Sequence, residues 1–197
     1  YTFLGGTPGW DTAYSICQTA DGGYIVAGDS YEAFTSLGGA GTPVRAHYAN
    51  SNTDILAVKL LPTGQVSTYT FLGGAGSEGV SSVQELSGGH VIIGGYTNQD
   101  IASLDGVSPN NTYQGGYDMM VIELDSISDT VSWYTFLGSS DAQFLYSIQQ
   151  TAEGGFIAAG TTSGDFTTLQ DATGPIIPYY TGSTQNALVA TLRQPRG

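Results

Sequence analysis

Positive charge is nearly absent from this chain. Its lysines and arginines are Arg45, Lys59, Arg193 and Arg196, against 17 acidic residues, and the net charge is −13. A surface of that sign repels phosphate backbones and anionic bilayers, so neither nucleic acid nor a membrane surface is an expected partner. Cysteine occurs once, as Cys17, which rules out an internal disulfide. Aligned by repeat with Val83 and Gln149, it reads as a small apolar strand residue. Long apolar runs are also missing, and no stretch approaches the ~20 residues needed for a membrane-spanning helix.

Histidine is scarce too, with His47 and His90 alone. His90 aligns with Tyr24 and Phe156 at a strand start and is expected to be an edge aromatic. His47 is expected to be exposed in a loop. No G-x-S-x-G elbow, P-loop, CxxC or HExxH occurs, so nothing places a base beside a nucleophile. Many Asp residues share one face, which leaves a glycoside-cleaving carboxylate pair open. No pair stands out, and the chain is read as non-catalytic. It opens on Tyr1 with no signal-peptide pattern, consistent either with a removed leader or with part of a longer product. Few lysines and abundant Gly, Ser, Thr and Tyr suggest an extracellular or cell-surface location. With 197 residues, 40% of them apolar, the chain can bury a core without metals or disulfides.

What the sequence has in abundance is itself. YTFLGG at 1–6 returns at 69–74 and, as YTFLGS, at 134–139. TADGGYIVAG at 19–28 returns as ELSGGHVIIGG at 85–95 and TAEGGFIAAG at 151–160. A fixed period of this size marks supersecondary units that bury their apolar faces on one another. The chain therefore divides into repeats 1–68, 69–133 and 134–197 of a single domain spanning 1–197.

Each repeat contains short β-like runs. In the first they are 15–19, 23–28, 54–60 and 66–73. Asp21-Gly22-Gly23 and Pro62-Thr63-Gly64 supply tight turns. The middle runs are apolar at consecutive positions (Val91-Ile92-Ile93, Met119-Met120-Val121-Ile122), which requires burial on both faces of a sheet. The predicted fold is all-β, with three repeats of a four-stranded antiparallel sheet stacked like propeller blades.

These motifs, T-x-D-G-G-Y-I-x-A-G, then D-x-x-x-x-K-L, then a turn and Y-T-F-L-G-G, resemble the bacterial extracellular β-propeller repeat over the whole chain. The resemblance implies a secreted or surface protein and leaves function open. Three blades fall below the four to eight of ordinary propellers.

The third repeat stops after ALVATL, without a fourth strand, while the opening YTFLGG has no strands before it. The expected union pairs Tyr1, Thr2, Phe3, Leu4, Gly5 and Gly6 with Ala187, Leu188, Val189, Ala190, Thr191 and Leu192. It could close the chain on itself, join two chains into a six-bladed ring, or propagate as a fibre by strand donation. A fragment of a larger propeller is the other reading, behind assembly through this strand.

Long insertions lie between the second and third strands, opening with Phe34-Thr35-Ser36-Leu37, Ile101-Ala102-Ser103-Leu104 and Phe166-Thr167-Thr168-Leu169. They and the links between repeats should share one face. Trp10, Tyr31, Tyr48, Tyr113, Tyr179 and Tyr180 on that face could stack on sugars. The plainer reading makes them loop anchors or contacts between subunits. No cofactor is expected and no metal site is assigned; oxygen-rich acidic loops leave Ca2+ open, although a solvated acidic surface is the simpler reading. Asn110 heads an N-x-T glycosylation pattern. The functional expectation is an extracellular structural protein that assembles with copies of itself as a fibre, sheath, surface layer or ring. A lectin-like module binding glycans or a surface is the alternative.

Overall fold

A computed structural model describes residues 1–6, 9–49, 51–125, 128–164 and 184–193. Among them are eleven strands and no helix. The first sheet is β1 (Asp11–Gln18), β2 (Tyr24–Ser30), β3 (Asp54–Leu60) and β4 (Val66–Leu72). The second is β5 (Glu78–Glu85), β6 (Val91–Thr97), β7 (Asp118–Leu124) and β8 (Val131–Leu137). The third is β9 (Gln143–Gln150), β10 (Phe156–Thr162) and β11 (Asn186–Leu192). Every neighbouring pair is antiparallel and consecutive, so each sheet is a simple meander.

The strand pairing assigns counterparts directly. Ser30 faces Asp54, Thr97 faces Asp118 and Thr162 faces Asn186. At the other end Tyr24 faces Leu60, Val91 faces Leu124 and Phe156 faces Leu192. The counterpart of Tyr24 is thus Val91, and the expected alignment of His90 with Tyr24 and Phe156 is off by one. The three turns, 19–23, 86–90 and 151–155, are equally long, so Gly89 rather than Gly88 is the counterpart of Gly22, and His90, which precedes β6, is the counterpart of Gly23. The same shift makes Gln84, not Val83, the counterpart of Cys17.

The first strand of each sheet carries a β-bulge at one place, between Ala13 and Ser15, Val80 and Ser82, and Leu145 and Ser147. Opposite it stand Gly28, Gly95 and Gly160. A Cβ at any of them would run into a backbone carbonyl oxygen, that of Thr12, Gly79 or Phe144. The recurring glycine is therefore a condition of the bulge.

The sheets stack in series. β1 and β2 lie against β5, while β5, β6 and β7 lie against β9. Among the described residues no comparable packing joins the first sheet to the third. Alternation along β7 shows why its run is wholly apolar: Met120 and Ile122 enter the core shared with the first sheet, and Met119 and Val121 the core shared with the third. All four are at most 1% exposed, and burying each contributes about 1.5–3 kcal/mol.

The long insertions also follow one plan. In the first, the Val44 N–H donates to the Tyr69 carbonyl (2.9 Å) and the Phe71 N–H to the Arg45 carbonyl (3.1 Å). In the second, the Asn110 N–H donates to the Tyr134 carbonyl (2.9 Å). The tyrosine hydroxyls complete the clamp: Tyr69 donates to the Phe34 carbonyl and Tyr134 to the Ile101 carbonyl. These insertions cover the outer edges of β4 and β8, which would otherwise be open to pairing.

Closure within the chain, one of the expected unions, is not formed. Residues 1–6 form no strand. The Thr2 hydroxyl donates to the Gly64 carbonyl (2.9 Å), and Leu4 packs with Val26, Leu56 and Val58 on the outer face of the first sheet. That face is turned away from the second sheet, and the segment does not pair with β11.

Candidate functional site

The repeated elements make the two ends of the array directly comparable with its interior. Leu4 is the counterpart of Leu72 and Leu137, which are buried at the first and second sheet junctions. The links that follow are also alike: Gly6, Gly74 and Ser139 each donate a backbone N–H, at 2.9 Å, to Asp11, Glu78 and Gln143. Residues 1–4 therefore lie where the fourth strand of a preceding sheet would lie. Thr2 and Leu4 face the first sheet, while Tyr1 and Phe3 are fully or largely exposed. Their counterparts Tyr69, Phe71, Tyr134 and Phe136 are 0–2% exposed.

The opposite end presents the matching deficiency. Among the described residues no strand pairs with the outer edge of β11. Val189 is 64% exposed and Ile157 40%, whereas their counterparts Ala57, Val121, Ile25 and Ile92 are buried. Ala187 and Thr191 are exposed beside Val189, while Ala190, on the opposite face, is buried and Leu188 and Leu192 pack toward the second sheet. The structure thus presents the predicted strand residues at opposite ends of the array.

The loop-face aromatics divide. Trp10, Tyr31 and Tyr48 are exposed, and the Tyr31 N–H donates to the Trp10 carbonyl (3.3 Å). Tyr14, on the bulged strand β1, is exposed too and was missed in the sequence reading. Tyr113 instead packs edge-on to Phe136 and donates its hydroxyl to the Gly116 carbonyl (2.8 Å), which makes it an anchor. Tyr179 and Tyr180 lie outside the described residues. Asn110 is exposed in its loop.

Several acidic side chains depart from the expected solvated surface. Asp54, Glu78 and Asp118 are buried because each accepts backbone N–H groups where loops enter strands. Asp54 accepts from Tyr48, Asp118 from Gln114, and Glu78 from Gly74. Glu78 also accepts the Thr97 hydroxyl (2.8 Å), as Asp11 accepts the Ser30 hydroxyl (2.6 Å). The sequence carried a signal for this clasp: Ser30, Thr97 and Thr162 recur at one place, as do Asp11, Glu78 and Gln143. Burial pushes the Glu78 carboxyl up to about 7, with a smaller push from the Asp54 charge. Burial likewise raises Asp118 to about 7 and Asp29 to about 6. Among the described residues no three His, Cys, Asp or Glu side chains converge as a ligand set.

The expectation of an exposed His47 is corrected. Its side chain is 6% exposed, stands edge-on to Phe71, and lies near the carbonyls of Ser30 and Tyr48 (3.2 and 3.0 Å). The ring fastens the loop to β2. His90 lies 3.1 Å from Glu123, which also accepts the Trp133 indole N–H (2.6 Å).

No protein-family model matches this chain, and no curated protein matches it.

Proposed function

We propose that this chain is a non-catalytic, extracellular structural protein that assembles with copies of itself, head to tail, as a fibre, sheath, surface layer or ring. Residues 1–4 of one copy become the fourth strand of the third sheet of another. The observation that carries this reading is that a copy of two buried strands lies exposed at one end, while at the other, among the described residues, no strand pairs with the edge it would fit. Transferring the pairing of β3 with β4 and of β7 with β8 sets the register: Tyr1 opposite Ala190, Thr2 opposite Val189, Phe3 opposite Leu188 and Leu4 opposite Ala187. Each union adds one propeller-like sheet junction. If the rotation between sheets closes after two copies the product is a six-bladed ring, and if it never closes the product is a filament. The poverty of lysine and the wealth of Gly, Ser, Thr and Tyr support an extracellular setting.

Light scattering and negative-stain imaging of the purified chain test this. The full chain is expected to form particles larger than one copy, and a variant lacking residues 1–6 is expected to stay monomeric with an unchanged β circular-dichroism spectrum. Equal particle size for the two would refute the reading.

A glycan-binding role has one specific observation in its favour, the exposed rings of Trp10, Tyr14 and Tyr31, which suit stacking on sugar faces. Glycan-array binding that disappears in Trp10→Ala would establish it; a blank array would remove it.

A further inference from the structure

We infer that the contact between copies extends beyond the strand: the open face of the third sheet receives the outer face of a second copy's first sheet in the register that joins the sheets inside the chain. This rests on the head-to-tail assembly proposed above and specifies its surface and partner.

Two internal junctions provide the template. At the first, the Ser15 hydroxyl accepts the Val83 N–H (3.1 Å). At the second, the Ser82 hydroxyl accepts the Ile148 N–H (3.3 Å). By strand register Ser15, Ser82 and Ser147 are counterparts, as are Ile16, Val83 and Ile148. The acceptor always lies in one sheet and the donor in the next. At the open ends Ser147 is exposed without a following sheet. Ile16 is 62% exposed without a preceding one, whereas Val83 and Ile148 are 6% and 2% exposed. Docking a second copy in this register brings its Ile16 N–H to the Ser147 hydroxyl.

A second polar contact crosses the second junction in the same sense. The Gln84 side-chain oxygen accepts the Gln150 N–H (3.2 Å). The counterparts at the open ends are Gln149, exposed on the third sheet, and Gln18, exposed on the first.

A third pairing lies where the loops meet the strands. At the first junction Asp54 Oδ1 and Glu78 Oε2 both border the space above Gly73. Their counterparts between copies are Asn186 and the second copy's Asp11, which borders Gly5 in the same way. The Asn186 side-chain nitrogen is buried without a hydrogen-bond partner. An approaching Asp11 carboxylate supplies the missing acceptor.

The apolar surface fits the same occupant. Val189 and Ile157 stand where Val121 and Ile92 pack against the third sheet. Thr191 replaces the charged Lys59 and Glu123 of the other two sheets. The described strands β9, β10 and β11 therefore carry no charged side chain to oppose a second copy despite the chain's net charge of −13. The occupant is a copy of this chain because its first sheet already holds residues 1–4 in place and presents the donor groups in the required order.

Sedimentation velocity and amide hydrogen exchange test the inference on the full chain. Val189→Lys, a change at an exposed site, is expected to weaken association at least about a hundredfold by burying an unpaired charge. Ser147→Ala is expected to weaken it about tenfold. Exchange of the Ile16 amide is expected to slow on assembly. If deletion of residues 1–6 abolishes assembly while Val189→Lys assembles normally and Ile16 exchange stays fast, face docking is overturned and strand donation alone stands. If the full chain stays monomeric at every concentration, both fall.

Discussion

At the scale of single residues the repeats act as internal controls. Gly95 faces the bulge of β5, where an added Cβ meets the Gly79 carbonyl oxygen, a backbone atom that cannot rotate aside. Gly95→Ala is expected to cost about 1–3 kcal/mol, visible as a lower urea midpoint with unchanged slope. Glu78 and Gln143 make a second comparison, because both fill the same clasp. The Gln143 amide accepts the Ser139 N–H and donates to the Thr162 hydroxyl, so an uncharged side chain serves there. Unfolded carboxyls titrate near pH 4, while Glu78 and Asp118 hold their protons to about 7 and Asp29 to about 6. Between those limits the folded chain binds more protons than the unfolded chain. Its stability therefore falls as pH rises from about 4 to about 7 and then levels off. Glu78→Gln is expected to raise Tm at pH 8 and to flatten the Tm–pH curve. Calorimetry across that range would expose the error if the variant were less stable at pH 8 or kept the full slope.

At the scale of elements, the insertions are sheet edges as much as loops. The Tyr134 hydroxyl bonds the Ile101 carbonyl at 2.6 Å in a buried setting. Tyr134→Phe is expected to cost about 1 kcal/mol and to speed proteolytic cleavage in the 98–117 insertion, measured by limited digestion. Strand and turn assignments were legible beforehand because Met119 to Ile122 is apolar on both faces and Asp21-Gly22-Gly23 spells a hairpin. The repeating Phe34 and Ile101 marked anchored segments for the same reason. Their destination was not legible, since Val44 and Asn110 reach the neighbouring edge through backbone groups that leave no mark on side-chain type. The position of His90 is off by one because Gly88-Gly89 offers two glycines to align with Gly22, and only strand register shows that Gly89 is the counterpart. His47 reads as exposed from its place in a loop insertion, while its burial depends on carbonyls from two separate segments. Residues 1–6 and 187–192 were recognisable by simple repetition as copies of a fourth and a third strand, but where each lies depends on the order of the sheets in space.

At the scale of the whole molecule, three sheets in series leave two unlike ends, and the second sheet stands between them. Residues 1–4 rest on the outer side of the first sheet, and among the described residues no strand pairs with the free edge of β11; in the assembly proposed above it takes one from another copy. Supplying one covalently should therefore abolish assembly. Residues 62–74 contain the turn and fourth strand of the first sheet, and fusing a copy of them after Gly197 places that strand at an effective concentration on the order of millimolar beside β11. The appended strand then occupies the place that residues 1–4 of an incoming copy would take, and the two exclude each other sterically. The fused chain is expected to sediment as a monomer across concentrations at which the unmodified chain assembles. It should also unfold at a higher temperature, because Val189 and the β11 edge become covered. Assembly persisting at the original concentration would mean that the copies meet at some surface other than β11.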